Sequence, residues 1–465
     1  MTSPADGKRF VFLATAVAAL GGMLFGYDIG VISGAILFIK REFGLSSGLE
    51  EIVVSSVLLG SLVGAVVGGV LADRLGRRKL LMLTAVVFGF GAVGSALAPG
   101  TASLIVARVV AGCAIGIASF VAPLYISEIA PVEIRGKLVS INQVALTSGI
   151  VVSYAVDYAL AGAHAWRWMC ALAVVPAAAF GVGLAFIPDS PRWLAARGHV
   201  DRARAVLTRM RPSAEVEGEL GAIEDSVKKQ KGEWSELLSP LVRPAMVVGI
   251  GLAIAQQITG INTVIYYAPT IFKFAGISSA PSAILASIGV GLANVALTVV
   301  ALQLIDRVGR RPLLLVSLAG MALSLFALAL AFSLRQLAGS LGWMAVASLI
   351  IYVGSFAVGL GPVFWLLLSE IYPLRIRGRA MSVGTIANWA SNLIVAMSFL
   401  TLTNVLGRAA TFSLYGIVSV AAWLFAFFLV PETKGKSLEQ IEEYWRVKKP
   451  SGGTTSRRGP ALASR

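Results

Sequence analysis

Polar residues interrupt this chain at long, fairly regular intervals. Between them lie twelve apolar stretches of about 20 residues or more, at 10–38, 50–72, 80–98, 102–126, 138–161, 167–187, 243–274, 281–305, 312–333, 342–369, 380–402 and 409–430. A helix rises about 1.5 Å per residue, so each stretch can cross the roughly 30 Å hydrocarbon layer of a bilayer. The pattern predicts an all-α membrane protein with twelve transmembrane helices. One long polar insert, 188–242, separates the sixth stretch from the seventh. It opens SPRWLAARG, with Ser190 placed to cap a helix that starts at Pro191. VDRARAVLTRM and ELGAIEDSVKKQ follow as short amphipathic helices on the inner membrane surface. The division predicted is therefore a six-helix bundle over 1–187, an intracellular helical insert over 188–242, a second six-helix bundle over 243–430 and a cytoplasmic tail over 431–465. The end of that tail, 451–465, is rich in Gly, Ser and Arg and reads as disordered.

Composition agrees with the pattern. Hydrophobic residues make up 57% of the 465 and charged residues only 14%, with a mean hydropathy of +0.82, which excludes a soluble globular domain. The net charge of +15 could suggest a nucleic-acid binder, but its placement argues against one. Short loops on one side carry twelve Lys/Arg (Arg74, Arg77, Arg78, Lys79, Arg135, Lys137, Arg307, Arg310, Arg311, Arg375, Arg377, Arg379), against six on the other (Lys40, Arg41, Arg167, Lys273, Arg335, Arg408). That bias orients a protein in the cell membrane with both termini in the cytoplasm. The start, Lys8-Arg9 followed by apolar residues, reads as a retained first helix rather than a cleaved signal. Cys113 and Cys170 fall inside apolar runs and imply no disulfide framework.

An internal repeat sets the architecture. DRLGRRK (73–79) recurs as DRVGRRP (306–312), SEIAPVEIRGK (127–137) as SEIYPLRIRGR (369–379), and PDSPR (188–192) more weakly as PETKG (431–435), at offsets of 233, 242 and 243 residues. Two pseudo-symmetric six-helix halves follow, the plan of alternating-access transporters with a binding site at the midplane. Asp73 with Arg77, and Asp306 with Arg310, can bond across neighbouring helix ends. With Glu128, Arg135, Glu370 and Arg377 they would form a network holding the halves closed on the cytoplasmic side.

Asp28 is the charge that composition does not explain. It sits in GGMLFGYDIGVISGA (21–35), with no other charge between Arg9 and Lys40. A carboxylate there costs a few kcal/mol to insert and usually marks an ion or substrate path. Arg108 is its natural partner, has no equivalent in the second half, and by its distance from the helix end lies at a similar depth. Making and breaking that pair would load and release a proton. Asp157 could pair with Arg167 and reads as structural. GSLVGAVVG (60–68) puts Gly60, Gly64 and Gly68 on one helix face, for close packing inside a monomer rather than for dimerisation. His164 and His199, the only histidines, fall in a loop and in the insert. Nothing resembles a nucleotide loop, a metal cluster or a nucleophilic triad, so neither a cofactor nor an enzyme is predicted.

A polyol is best held by amides, which donate and accept, and by flat aromatic faces. At membrane depth the sequence offers Gln143, Gln256, Gln257, Asn262, Asn294 and Asn388, with Phe25, Tyr266, Trp365 and Trp389. For an isolated Asn294 or Asn388, helix–helix hydrogen bonding is the competing role. Gln256 and Asn262 do not share a clean helical face, so a break near Gly260 would help both point inward. Tyr267 and Trp168 fit a core or an interfacial belt as well as a ligand site.

RVVAGCAIG (108–116), PLYISEIAPVEIRG (123–136), PDSPRW (188–193), QQITGIN (256–262), YYAP (266–269), GPVFWLLLSEIYP (361–373) and PETKG occur in that order. On these motifs the chain resembles the sugar porter family of the major facilitator superfamily, over nearly its whole length. The resemblance implies the major facilitator fold. It also implies sugar contacts at Gln143, Gln256, Gln257, Asn262, Asn294, Trp365, Asn388 and Trp389. Facilitator relatives commonly carry an amide at the Asp28 position, so the acid here favours proton symport of a monosaccharide. A facilitator without protons and a transporter-derived sensor are the alternatives, the latter disfavoured by a tail of only 35 residues after Pro431.

Overall fold

The computed structural model describes residues 4–131, 134–229, 234–240, 242–334, 339–373, 376–436 and 440–441. Arg335, Arg375 and the tail segment 451–465, read above as loop cations and as disordered, lie outside them. Among the described residues, twelve helices are long and apolar enough to cross a membrane: Gly7–Phe43, Ser47–Leu75, Arg77–Ala96, Thr101–Ile129, Arg135–Ala161, Trp166–Ala185, Arg243–Tyr266, Ala280–Val308, Arg310–Ser333, Leu341–Glu370, Arg377–Val405 and Arg408–Leu429. They are called the first to twelfth spans below. Ser46 and Ser279 cap the second and eighth through their hydroxyls, accepting from the N–H of Leu49 and Ser282. In the insert, Ser190 accepts from the Trp193 N–H and Pro191 begins the helix Pro191–Ala196. The helices Val200–Met210 and Ser213–Lys229 follow it. Leu194, Ala203, Leu207, Val216 and Leu220 give the insert a small core of its own.

The two halves repeat each other's packing. The first span lies on the fifth and the third on the fourth and sixth; correspondingly the seventh lies on the eleventh and the ninth on the tenth and twelfth. Between the halves, the fifth meets the eighth and the second meets the eleventh. Lipid gives helices no hydrophobic reason to associate, so close approach must come from small residues. In the first span Gly22, Gly26, Gly30 and Gly34 recur every four residues, one helix face. A Cβ on Gly26, Gly30 or Gly34 would overlap Leu146 O, Ser153 Oγ or the Asp157 carboxylate of the fifth span. The expected Gly60/Gly64/Gly68 face packs inside the chain on the fourth span, whose Gly112 and Gly116 lie in turn on Val57 and Ser61.

Several spans are broken, and the breaks have local causes. Pro176 has no N–H to return to Leu172, where the sixth span is interrupted. The seventh breaks at Gly260, in the left-handed region at φ +92°, as the spacing of its amides predicted. The freed Thr259 carbonyl accepts a 2.7 Å hydrogen bond from the Tyr352 hydroxyl. The tenth breaks at Gly359. These breaks bend irregular backbone toward the interior, where it can line a path.

The two ends of the bundle differ. At the end away from the insert, Glu51 of the second span accepts 2.7 Å hydrogen bonds from both the N–H and the hydroxyl of Thr401 in the eleventh. Tyr154 of the fifth donates at 2.8 Å to Ile265 O of the seventh. At the insert end, six consecutive residues of the fifth span, Ile141–Leu146, are all partly exposed, so no face of that helix is sealed against the other half. The structure is closed at the far end and open at the insert end.

Candidate functional site

Asp28 and Arg108 meet as expected. Arg108 Nη2 lies 3.4 Å from Asp28 Oδ2, with both residues buried. The guanidinium is anchored first to the second span, donating from Nε to Val53 O at 2.9 Å and from Nη2 to Val54 O at 3.3 Å. Arg108 is thus fixed, and the long contact to Asp28 is the one free to open.

Four of the predicted amides form a single network. Gln257 Nε2 donates to Asn388 Oδ1 at 3.0 Å, Asn388 Nδ2 to Gln256 Oε1 at 2.7 Å, and Asn262 Nδ2 to Gln257 Oε1 at 2.9 Å. Gln256 Nε2 is shared between Leu360 O and Gly361 O, beside the tenth-span break. Asn388, for which a purely structural role competed, belongs to the cluster. Gly260 makes this possible by turning Asn262 back toward Gln257.

Phe25 and Trp389 bring the halves together, ring centroids 5.3 Å apart. Tyr266 is fully buried, its hydroxyl beside the Asn392 amide and within electrostatic range of Asp28 and Arg108. It stands one helical turn beyond Asn262, so one short helix, Ile261–Tyr266, carries a member of the amide cluster and a hydroxyl that feels the ion pair. Other residues stay apart from the network. Gln143 is half-buried on the fifth span. Asn294 lines a small cavity with Tyr154, Val264 and Gly291. Trp365 packs edge-on against Phe364 and remains 39% exposed. Tyr267 packs on Phe399, and Trp168 is exposed.

The charged loops pair within each half. Asp73–Arg77 (3.2 Å), Arg77–Glu128 (3.0 Å), Asp306–Arg310 (3.5 Å) and Arg310–Glu370 (3.0 Å) all form within one half. None of these six charges reaches across, because the halves stand apart at this end. Arg377 donates to Tyr372 O of its own half, and Arg135 is exposed with no ion pair among the described residues. The weak PDSPR/PETKG echo proves to be a matched pair of caps. Asp189 accepts from the Arg78 N–H at 3.3 Å, at the start of the third span. Glu432 accepts from Arg310 N–H at 3.1 Å and Arg311 N–H at 3.0 Å, at the start of the ninth. Gly76 and Gly309 adopt positive φ (85° and 110°) beneath them, and a Cβ there would crowd each carboxylate. Burial pushes the Asp189 carboxyl above its ordinary range against the pull of the Arg78 N–H and side chain. Burial acts the same way on Glu432, but the N–H groups of Lys434, Arg310, Arg311 and Thr433 outweigh it and hold that carboxyl low.

A correction concerns Asp157. Arg167 is engaged elsewhere, 2.6 Å from Glu42 Oε1 and stacked over the Trp166 ring. Asp157 is fully buried, with no side-chain partner on either oxygen and the Gly34 backbone beside it. Reading the sequence missed Glu51 as well: it stands at a predicted span boundary, where a carboxylate looks solvated, and its partner is 350 residues away.

Such a fold, with a buried ion pair and amides at the interface of two repeated halves, defines a secondary transporter. The family model described as "Sugar (and other) transporter" matches residues 14–445, and the chain belongs to that family. It is 43% identical to a putative metabolite transport protein, YwtG, of Bacillus subtilis, over 94% of this chain and 96% of the relative. A galactose-proton symporter of Escherichia coli is 42% identical over 94% and 95%. Among solved structures, the major facilitator proton:xylose symporter XylE bound to 6-bromo-6-deoxy-D-glucose superposes with a TM-score of 0.81 at 36% identity, covering 94% of this chain and 99% of that one.

Proposed function

We propose that this protein imports a monosaccharide by proton symport, the two halves rocking around a central site. The observation that carries the reading is the buried Asp28–Arg108 pair. It has no counterpart in the second half, and Tyr266 connects it to the amide cluster. Binding the sugar would engage Gln256, Gln257, Asn262 and Asn388 from the second half, with Phe25 and Trp389 on the ring face. Gln143, Asn294 and Trp365 would join as the halves close. Asp28 takes the proton when its contact with Arg108 opens. Neutralising the acid removes the cost of an unpaired charge in that state and permits the return stroke.

The bias of the loop cations supports a reading with the insert end and both termini in the cytoplasm, in which this conformer faces inward. The divisions 1–187, 188–242, 243–430 and 431–465 then serve as N-terminal bundle, intracellular insert, C-terminal bundle and tail of a chain that works as a monomer in the bilayer. Asp73, Arg77 and Glu128, and likewise Asp306, Arg310 and Glu370, pair within their own halves here; with Arg135 and Arg377 they would meet across the inner end in the outward-facing state. Relatives act on galactose and xylose, so the sugar itself is a matter for assay.

The test is uptake into proteoliposomes of labelled glucose, galactose, xylose, arabinose and myo-inositol, with and without an inward proton gradient. Wild type should concentrate one of these only with the gradient, while Asp28→Asn exchanges it without concentrating it. Equal, gradient-independent equilibration by both proteins would establish the facilitator instead.

A further inference from the structure

Asp157 has no task in the mechanism above. It lies on the fifth span, 0% exposed, with the Gly34 backbone as its hydrogen-bond neighbour and no side-chain donor on either carboxyl oxygen. Its carboxyl rests on the Gly34 backbone of the first span, the helix that carries Asp28. The titratable groups facing it are Tyr27 of the first span, Tyr154 of its own span and Cys170 of the sixth. None is a cation. Cys170 also lies within electrostatic range of Asp28, Arg108 and Arg167. Arg167 is held by Glu42 and Arg108 by Asp28, Val53 O and Val54 O, so neither cation is left for Asp157. One positive charge balances one carboxylate, and a second unpaired carboxylate in a dry site is too costly to persist. A proton on one of the two acids removes that cost, and Asp157, the acid without a cation, is where it rests in this conformer.

We propose that Asp157 is a second proton-binding carboxylate, whose occupancy is coupled to that of Asp28 and sets the pH at which the transporter turns over. The step is a simple protonation: an O–H bond breaks on Asp157 as it ionises, and the proton returns from water when the site is next wetted. Both acids lie within electrostatic range of Cys170, and like charges in one buried region disfavour each other, so a proton on one makes a proton on the other less favourable. The inference rests on the symport reading, and its experiment separates the two.

Purified wild type, Asp157→Asn, Asp157→Ser and Asp28→Asn would be compared in two measurements. The first is the infrared C=O stretch of protonated carboxyls at neutral pH. The second is the pH profile of sugar exchange, which needs no gradient, with sugar binding as the check on folding. The expected result is a protonated-carboxyl band that Asp28→Asn retains and both Asp157 variants lose. The pH midpoint of exchange should also move by about one unit or more in the Asp157 variants, a tenfold change in proton affinity. A folded Asp157→Asn with the wild-type pH profile, or a wild type without that band, overturns the proposal. Failure of the wild type to concentrate sugar under a gradient would remove the symport reading while leaving these two results to decide Asp157.

Discussion

Gln257 is the hub of the amide cluster: its nitrogen serves Asn388 and its oxygen serves Asn262. Gln257→Leu keeps the size but leaves the buried Asn388 and the half-buried Asn262 each short of a partner, at about 1–3 kcal/mol for a buried group. Apparent sugar affinity in counterflow should fall by roughly 10- to 100-fold while transport at saturating sugar persists; unchanged affinity would place the sugar elsewhere. At this scale the sequence was readable where chemistry was conspicuous. Asp28 and Arg108 stood out because nothing around them is charged, and the Gln256/Asn262 spacing pointed to a break near Gly260. Asp157 and Glu51 were misjudged for the opposite reason. Their meaning lies in what surrounds them, an absent cation in one case and a threonine 350 residues distant in the other.

The spans themselves were written in the hydrophobic pattern, to within a few residues at most ends, because a bilayer demands length and continuity of apolar sequence. What the pattern could not reveal was how loops cap helices. Glu432 stabilises the first turn of the ninth span through two N–H groups that otherwise lack partners. Glu432→Gln should cost about 1 kcal/mol and lower the melting temperature by a few degrees. The sign with pH is fixed by the lowered carboxyl. Its contribution is complete above the ordinary value of 4.5 and disappears as pH falls below 4.5 through the folded-state value. Melting curves of the two proteins should therefore converge in that acid window. A constant difference across it would show that the charge is not what stabilises the cap.

At the scale of the molecule, the conformer is decided by contacts between the halves. The Glu51–Thr401 bonds exist only while the far end is closed. Glu51→Gln and Thr401→Val should each shift the population outward, read as faster labelling of a single cysteine introduced at the far end and slower labelling of one at the insert end. Unaltered labelling would assign the closure to apolar packing, such as Tyr267 on Phe399, instead. Repetition of the halves was visible in the chain, but the state in which they rest was not. That balance depends on a few bonds between surfaces far apart in sequence.

The glycine faces bear on how that motion is delivered. Backbone lies so directly on backbone between the first and fifth spans, and between the second and fourth, that the first half has little room to bend. It must then turn as a lever about the middle of the membrane, with an arm of about 15 Å on either side. A turn of about 10° per half displaces each tip by roughly 2.5 Å, so the gap at the insert end narrows by about 5 Å while the far end parts by as much. Hydrogen bonds do not survive such a stretch. A stiff lever leaves no intermediate in which the far end stays latched while the near end closes, and geometry alone would then forbid a channel open at both ends.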